Sequence, residues 1–452
     1  MLNRPWYVVA LLATLYVVSY VDRLILTLLV EPIQADMPVS DVQIGLLIGP
    51  AFAILFAVVG IPVAWMVDRG NRVRLLVAGV LIWSACTAGA GFSRSFEQLF
   101  VFRMGLAVGE TVLSPVGISL IGDMFAQGRR SAPSAVFIAS GVTGVMLAYL
   151  VGGFIIDLAN AGALRWLPVI GDEATWRIAL MMVGAPGLIL ALVILLTVRE
   201  PSRSGDGPGA VPEHSDRTDR YGIFSSRAQA IRYYASFFAG NTILGLTLYG
   251  SLAWYPTYLI RRHGISASQA GYVFSTALAL GVLLTLAIPI LAERIAVKGR
   301  RDLILFLPLL ILPVGAAFFA ASLMQASLWG ATASLALGFS LLSSVNALPS
   351  ITIPQTAPAH LRGRLVAVIQ LCNNAGSLSI GSFLVPALAD QLFSGSAALG
   401  SALLLLAAVT LPFAWLLFFS AWLPYRRAVY ARVASEPEEP NITLCNRSGA
   451  GP

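Results

Sequence analysis

Arg103 and Glu110 stand seven residues apart inside FVFRMGLAVGETVLSPVGISLI, an otherwise apolar run from Phe100 to Ile121. Seven residues is close to two helical turns, so a helix projects both side chains from one face, roughly 10 Å apart. The run is long enough to cross a bilayer, about 22 residues at ~1.5 Å each. A charge at mid-membrane costs at least about 2.5–3.5 kcal/mol, so such residues face a wet cavity or a partner. A cation and an acid on one stripe point to a substrate or proton path. The plainer alternative is an ion pair that only locks helices together.

A second charged pair, Asp22-Arg23, lies two-thirds along the first apolar segment in SYVDRLILTLL. Neighbours on a helix point about 100° apart, so one faces the cavity while the other meets a neighbouring helix. An acid beside an arginine stays ionised, and an anion that displaces the arginine leaves that acid to take up a proton. On this basis Arg103 is expected to bind a substrate anion, with Glu110 and Asp22 sharing the proton role. Glu31, before Pro32, is expected at the outer interface or in a gate.

The elements that position these residues follow from composition. Of 452 residues, 57% are hydrophobic and only 11% charged. Soluble domains carry about 25% charged residues, so the chain is expected to be an all-α polytopic membrane protein. Spans are expected at Trp6–Val30, Val42–Met66, Val73–Phe92, Leu99–Ile121, Ser131–Ile156 and Trp176–Val198. A second set is expected at Ala230–Leu259, Ala267–Leu291, Leu303–Met324, Leu328–Ile351, Leu365–Leu388 and Ala398–Leu423. These make about twelve transmembrane helices in two pseudo-symmetric six-helix bundles, residues 1–198 and 229–424. Between them, residues 199–228 are rich in Pro, Gly, Ser and charge and read as a cytoplasmic linker. Residues 425–452 read as a disordered cytoplasmic tail.

The net charge of +7 is a topology signal rather than a sign of nucleic acid. Arginines 4, 69, 72, 74, 129, 130, 294, 362, 364, 426 and 427 and those of the linker fall on one side of the twelve spans. The positive-inside rule makes that side cytoplasmic, with both termini there. A plasma membrane location follows, the inner membrane in a bacterium. The first segment has no cleavage-site pattern and is expected to be retained as a signal-anchor. Cys86, Cys372 and Cys445 have no ligand spacing, and His214, His263 and His360 fall in expected loops or the linker, so no metal or cofactor site is expected. No nucleophile–base set, metalloprotease motif or phosphate-binding loop is present, which argues against an enzyme or a primary pump.

The two halves repeat a loop pattern. VAWMVDRGNRVRLL follows the second helix and ILAERIAVKGRRDLIL the eighth. Asp68-Arg69 and Glu293-Arg294 occupy matching places, and an acid at a helix C-terminus is poorly placed for the dipole. An intracellular clamp is therefore expected of Asp68, Arg69, Arg72, Glu293 and Arg294, with Asp123 and the Arg129/Arg130 pair joining it through Arg69. In the second half the candidates are neutral: Asn241, Thr242, Tyr249, Trp254 and Tyr255 in the seventh helix, Ser343, Ser344 and Asn346 in the tenth, and Gln370, Asn373 and Asn374 in the eleventh. Of these, Asn241, Tyr249, Asn346 and Asn373 are the expected substrate contacts, against the alternative that they merely bridge helices.

These residues together resemble the major facilitator superfamily over roughly residues 5–425. Asp68-Arg69 with Arg72 resembles its loop motif after the second helix, with Ala64 where a glycine is usual. Arg103 with Gly109 resembles its fourth-helix motif. Ala148–Phe154 resembles its fifth-helix exporter motif, with Ala148 and Tyr149 replacing Gly-Pro. Within the superfamily, YVDRLILTLLVEPIQADMPVSDVQIGLL, GIPVAWMVDR and RMGLAVGE are most similar to spinster-like transporters. The resemblance implies a cavity lined by the first, fourth, seventh and tenth helices and a proton-linked or facilitative carrier. In some animal members it also implies a lysolipid or sphingosine-phosphate substrate. The expectation is a monomeric secondary active transporter of an amphipathic or lipid-like organic anion, working by alternating access. A carrier of small organic acids stands as the alternative. A drug-type efflux pump is a third possibility, and a non-transporting receptor or scaffold is one of another class.

Overall fold

The computed structural model describes residues 4–126, 128–162, 166, 173–203, 222–297 and 303–435. The first half consists of α1 (Pro5–Leu24), a 3₁₀ turn (Ile25–Leu28), α2 (Val30–Asp36), α3 (Asp41–Ile48), α4 (Pro50–Arg69), α5 (Arg72–Ala90), α6 (Phe96–Glu110), α7 (Leu113–Met124), α8 (Ser131–Asn160) and α9 (Thr175–Thr197). The second consists of α10 (Arg227–His263), α11 (Ala267–Val297), α12 (Leu303–Met324), α13 (Leu328–Asn346), α14 (Pro349–Thr356), α15 (Ala359–Leu371), a π-helical turn (Cys372–Leu378), α16 (Ser379–Leu392) and α17 (Ala398–Ser435).

Ten segments among the described residues are long and apolar enough to cross a membrane. α10 and α11, at 37 and 31 residues, stand outside that set but pack among the ten, α10 against α17 and α11 against both α8 and α13. The polar and aromatic residues that made α10 a candidate cavity wall also dilute its apolar character. Large apolar side chains remain exposed on the outer helices, Ile138, Leu192 and Val409 among them, as a lipid-facing surface requires.

Several spans are broken, and each break has a chemical cause. The first span tightens from α1 into the 3₁₀ turn, where the Thr27 hydroxyl donates to the Leu24 carbonyl at 2.7 Å. The second is cut at Gly49-Pro50, since Pro50 has no N–H to donate to a preceding turn. Gly49 is also required for space. A Cβ there would lie 2.7 Å from the Ser382 hydroxyl and 2.8 Å from the Ser379 carbonyl, which seats the break on the eleventh span of the opposite half. The last helix differs from expectation. α17 runs through Pro424 to Ser435, so residues 425–435 are helical where a tail was expected. Residues 436–452, and 204–221 of the expected linker, lie outside the described residues.

Two buried cores result. One fills the first half around Phe52, Trp83, Leu106, Val116 and Phe137. The other fills the second half and continues across the seam through Leu28, Ile44, Tyr149 and Phe274.

Candidate functional site

The charged residues of α1 and α6 meet, though not with the expected division of labour. Arg23 reaches Glu110 Oε2 with two donors, Nε at 3.0 Å and a closer Nη2. The Glu110 side chain is 1% exposed and the Arg23 side chain 16%. Glu110 Oε1 is buried without a partner among the described residues. Aromatic rings surround the guanidinium, whose Cζ lies 4.4 Å from the Phe52 ring, 5.1 Å from Tyr20 and 5.7 Å from Phe56. Tyr249 of α10 lies beside Arg23 and Tyr20 and packs on the first half's core, so it brings the second half to this pair.

Arg103 is buried and turned toward backbone. Its Nη2 donates to the Arg23 carbonyl at 2.7 Å, Nε to the Leu47 carbonyl at 3.1 Å and Nη1 to the Asp22 carbonyl at 3.5 Å. These acceptors lie at the two helix breaks, where regular hydrogen bonding lapses and orphan carbonyls need donors. Arg103 thus fastens the kink of the first span to the end of α3. Sequence reasoning expected Arg103 to meet substrate; its donors here are taken up by backbone carbonyls, and the partly exposed cation of the cluster is Arg23, which was named only as one of an undecided pair.

Asp22 is fully buried, on a face of α1 turned about 100° from that of Arg23. Thr87 and Trp83 of α5 stand beside it without reaching hydrogen-bond geometry, and neither carboxylate oxygen has a partner among the described residues. It lines a void of about 20 Å³ with Leu26, Thr87 and Arg103.

The neutral candidates divide. Asn241 Nδ2 donates to the Asn346 carbonyl at 3.2 Å, and Asn346 Nδ2 donates back to Asn241 Oδ1 at 3.3 Å. This reciprocal pair ties α10 to α13 and occupies the amides expected to meet substrate. Asn373 sits half-buried in the π-helical turn with Oδ1 unpartnered among the described residues. That turn packs on both α10 and α4, where the halves meet. Wide turns of this kind recur at functional sites.

At the arginine-rich end, the clamp centres on Arg72 rather than Arg69. Arg72 pairs with Asp123 through Nη1, with the Ser119 hydroxyl at 3.0 Å and with Glu200 Oε1 at 2.7 Å. Glu200, unremarked in the sequence, also accepts from the Val73 N–H at 2.9 Å. Asp68 and Arg69 are exposed and form no ion pair among the described residues; the Arg69 guanidinium lies 4.5 Å from the Trp65 ring centre. Arg294 is exposed on α11, Arg130 donates to the Phe125 carbonyl at 2.9 Å, and the Glu293 side chain lies outside the described residues.

The opposite end is sealed across the halves. Arg261 of α10 donates to Glu31 at 2.6 Å, to Gln34 at 3.0 Å and to both Asp41 oxygens at 2.6 and 2.9 Å. Gly264, at φ +66°, takes the left-handed conformation that ends α10 one turn later. Burial disfavours the Arg261 charge, but Asp41 and Glu31 more than offset it and hold the guanidinium above its ordinary pKa. Deeper along the seam, the Tyr149 hydroxyl donates to the Leu252 carbonyl at 2.5 Å and the Tyr272 hydroxyl to Asp157 at 2.7 Å. Among the described residues, the hydrogen bonds that cross between halves all lie toward this end.

Two helical bundles around a buried, aromatic-lined ion pair, tied to each other among the described residues by hydrogen bonds toward one end, have the build of a multi-pass membrane transporter. The sequence profile of the Major Facilitator Superfamily matches residues 12–382, and the chain belongs to that family, which comprises transporters rather than enzymes. An MFS-type efflux pump of Mycolicibacterium smegmatis is 29% identical over 94% of this chain and 95% of its own length. The human protein spinster homolog 1 is 29% identical over 57% of this chain, a match spanning 46% of that protein. A bacterial homolog of the human lysosomal transporter spinster, solved in an inward-facing and unoccupied conformation, shares the fold with TM-score 0.77. It is 24% identical, over 94% of this chain and 98% of that one. The nucleoside transporter NupG shares it at TM-score 0.66 and 13% identity, over 92% of this chain and 99% of that one.

Proposed function

We propose that this chain is a secondary active transporter that moves an amphipathic or lipid-like organic anion by alternating access, coupled to a proton. The Arg23–Glu110 pair carries the proposal. Arg23 is the partly exposed cation of the site, ringed by Tyr20, Phe52 and Phe56, a setting that takes an anionic head beside apolar surface. An anion that draws Arg23 away leaves Glu110 buried without its counter-charge, and protonation of Glu110 relieves that cost. Asp22, buried with neither carboxylate oxygen hydrogen-bonded among the described residues, serves as a second proton site. Tyr249 and Asn373 supply the second half's contacts, while Arg103 holds the backbone that carries Arg23. The seal at Arg261 corresponds to the state open toward the arginine-rich, cytoplasmic end. Both termini lie on that side, in the plasma membrane or a bacterial inner membrane, and the transporter acts as a monomer.

A second reading, export of apolar compounds, draws support from the likeness to the mycobacterial efflux pump along nearly the whole chain. A thermal-shift screen of lysolipids and sphingoid phosphates, small organic acids and uncharged amphiphiles separates these readings, since a ligand bound to the folded state stabilises it by mass action. The expected result is stabilisation by lipid-like anions that disappears in Arg23→Ala and changes with pH. Stabilisation by small acids alone assigns the site to that smaller class, and an equal response to uncharged amphiphiles overturns the anion.

A further inference from the structure

A second cavity, of about 560 Å³, lies between the first turns of α10 and α15, away from the Arg23–Glu110 pair. Its walls are apolar along their length, with Ile231 and Phe238 on one side and Leu361, Leu365 and Val368 on the other. Ile231 is 56% exposed and Val368 46%, so these wall positions are open surface, while Phe238 is buried against the second half's core. The Tyr234 hydroxyl is already engaged with Thr356 at 3.0 Å and leaves the slot no strong polar group in its depth.

Charge is confined to the mouth. Arg227, which opens α10, and His360, in the first turn of α15, are the ionisable lining groups apart from Tyr234, and Arg362 and Arg364 follow on α15. No acidic residue occurs anywhere in 222–292 or 303–389, so this positive mouth has no counter-ion from its own helices. From Arg227 to Phe238 is eleven residues, about 16 Å of helix. A polar anionic head with a long apolar body matches this pattern from end to end. The linker does not, because residues 204–221 hold only Val211 and Tyr221 as large apolar or aromatic side chains among glycines, prolines and other small, polar or charged residues.

We propose that this slot is a binding site for an anionic phospholipid of the bilayer, distinct from the transport site, with the headgroup at Arg227 and His360 and an acyl chain along Ile231, Phe238 and Val368. The lipid bridges α10 to α15, the helix that leads into the π-helical turn, on the side that the charge bias makes cytoplasmic. Its occupancy is independent of which substrate Arg23 accepts.

Native mass spectrometry of the full chain, titrated with phosphatidylglycerol and phosphatidylcholine of identical chains, tests it. Phosphatidylglycerol should bind more tightly, and Arg227→Gln should weaken it about fivefold while leaving phosphatidylcholine unchanged, the worth of one cation at an anionic surface. Ala235→Trp, which fills the slot from an exposed wall position, should remove the tight event for both lipids and leave the Arg23-dependent thermal response intact. Equal binding of the two lipids, or unchanged binding in Ala235→Trp, overturns the site. Displacement by glycerol phosphate, or by a peptide of residues 204–221, assigns the mouth to a soluble anion or to the linker instead and overturns the lipid.

Discussion

Replacing Arg103 by methionine separates a residue that holds backbone from one that holds cargo. The substitution keeps the length of the buried stem and removes the guanidinium. Two strong charge-assisted bonds are lost, to the Arg23 carbonyl at 2.7 Å and the Leu47 carbonyl at 3.1 Å, while the 3.5 Å contact to Asp22 is marginal. Hydrogen bonds to a charged group contribute about 1.5–3 kcal/mol each, so the gross loss is about 3–6 kcal/mol. Relief from burying a cation offsets part of it, and a net cost of about 3 kcal/mol remains. The assay is the loss of monodisperse protein on heating in detergent, without any ligand. Arg103→Met should melt well below wild type. The double variant Arg23→Met/Glu110→Gln removes both members of an ion pair together and should stay close to wild type in stability while losing the ligand response. An Arg103→Met protein that melts like wild type and has lost only its ligand would refute the backbone role and return the anion to Arg103.

Arg261→Gln should loosen the sealed end. Its contacts to Glu31, Gln34 and Asp41 are partly exposed and together contribute roughly 2 kcal/mol, about thirtyfold in the ratio of closed to open. Alkylation of a cysteine placed at Leu252, in a background without the native cysteines, should speed up accordingly; an unchanged rate would show that the arginine does not hold the seam. Asp36→Asn tests the outer network of the first half, where Asp36 accepts from Arg177 at 2.8 Å and Trp176 at 3.1 Å. Slight burial works against its charge, but those donors hold the carboxyl below its ordinary value of 3.8. A lowered carboxylate contributes stability above the unfolded value, which is lost as pH falls through the folded one. Wild type should therefore lose its advantage over Asp36→Asn below about pH 4, read from melting curves across pH; a constant gap would exclude the linkage.

Much of the architecture was legible because membrane spans announce themselves locally. A run of apolar residues needs no distant partner to be recognised, and the charged quartet Asp22, Arg23, Arg103 and Glu110 stood out for the same reason. What each charge touches was not local. Arg103 finds its acceptors only because α1 tightens at Ile25 and the second span breaks at Gly49, and neither event frees a carbonyl that a linear pattern displays. The Asn241–Asn346 pair joins residues 105 positions apart, and the Arg261 seal reaches back 220 and 230 positions to Asp41 and Glu31. Glu200 was absorbed into the expected linker, since an acid among prolines and serines carries no mark of the arginine it will meet. The last span was expected to end at Leu423, yet α17 passes on through Pro424, as a proline can where the preceding turn tolerates the bend.

The Arg23–Glu110 pair also bears on voltage. Asp22, Arg23, Arg103 and Glu110 are two acids and two cations, so with both acids ionised the buried cluster is electrically balanced when empty. A singly charged anion that takes Arg23 and leaves one proton on Glu110 preserves that balance. The loaded protein then carries no more charge across the bilayer than the unloaded one, and the membrane potential, worth about 2.3 kcal/mol per charge at 100 mV, does no work on the loaded step. On the proposed coupling, in which anion and proton cross together, the pH gradient alone drives accumulation, and a doubly charged cargo would make the same step electrogenic.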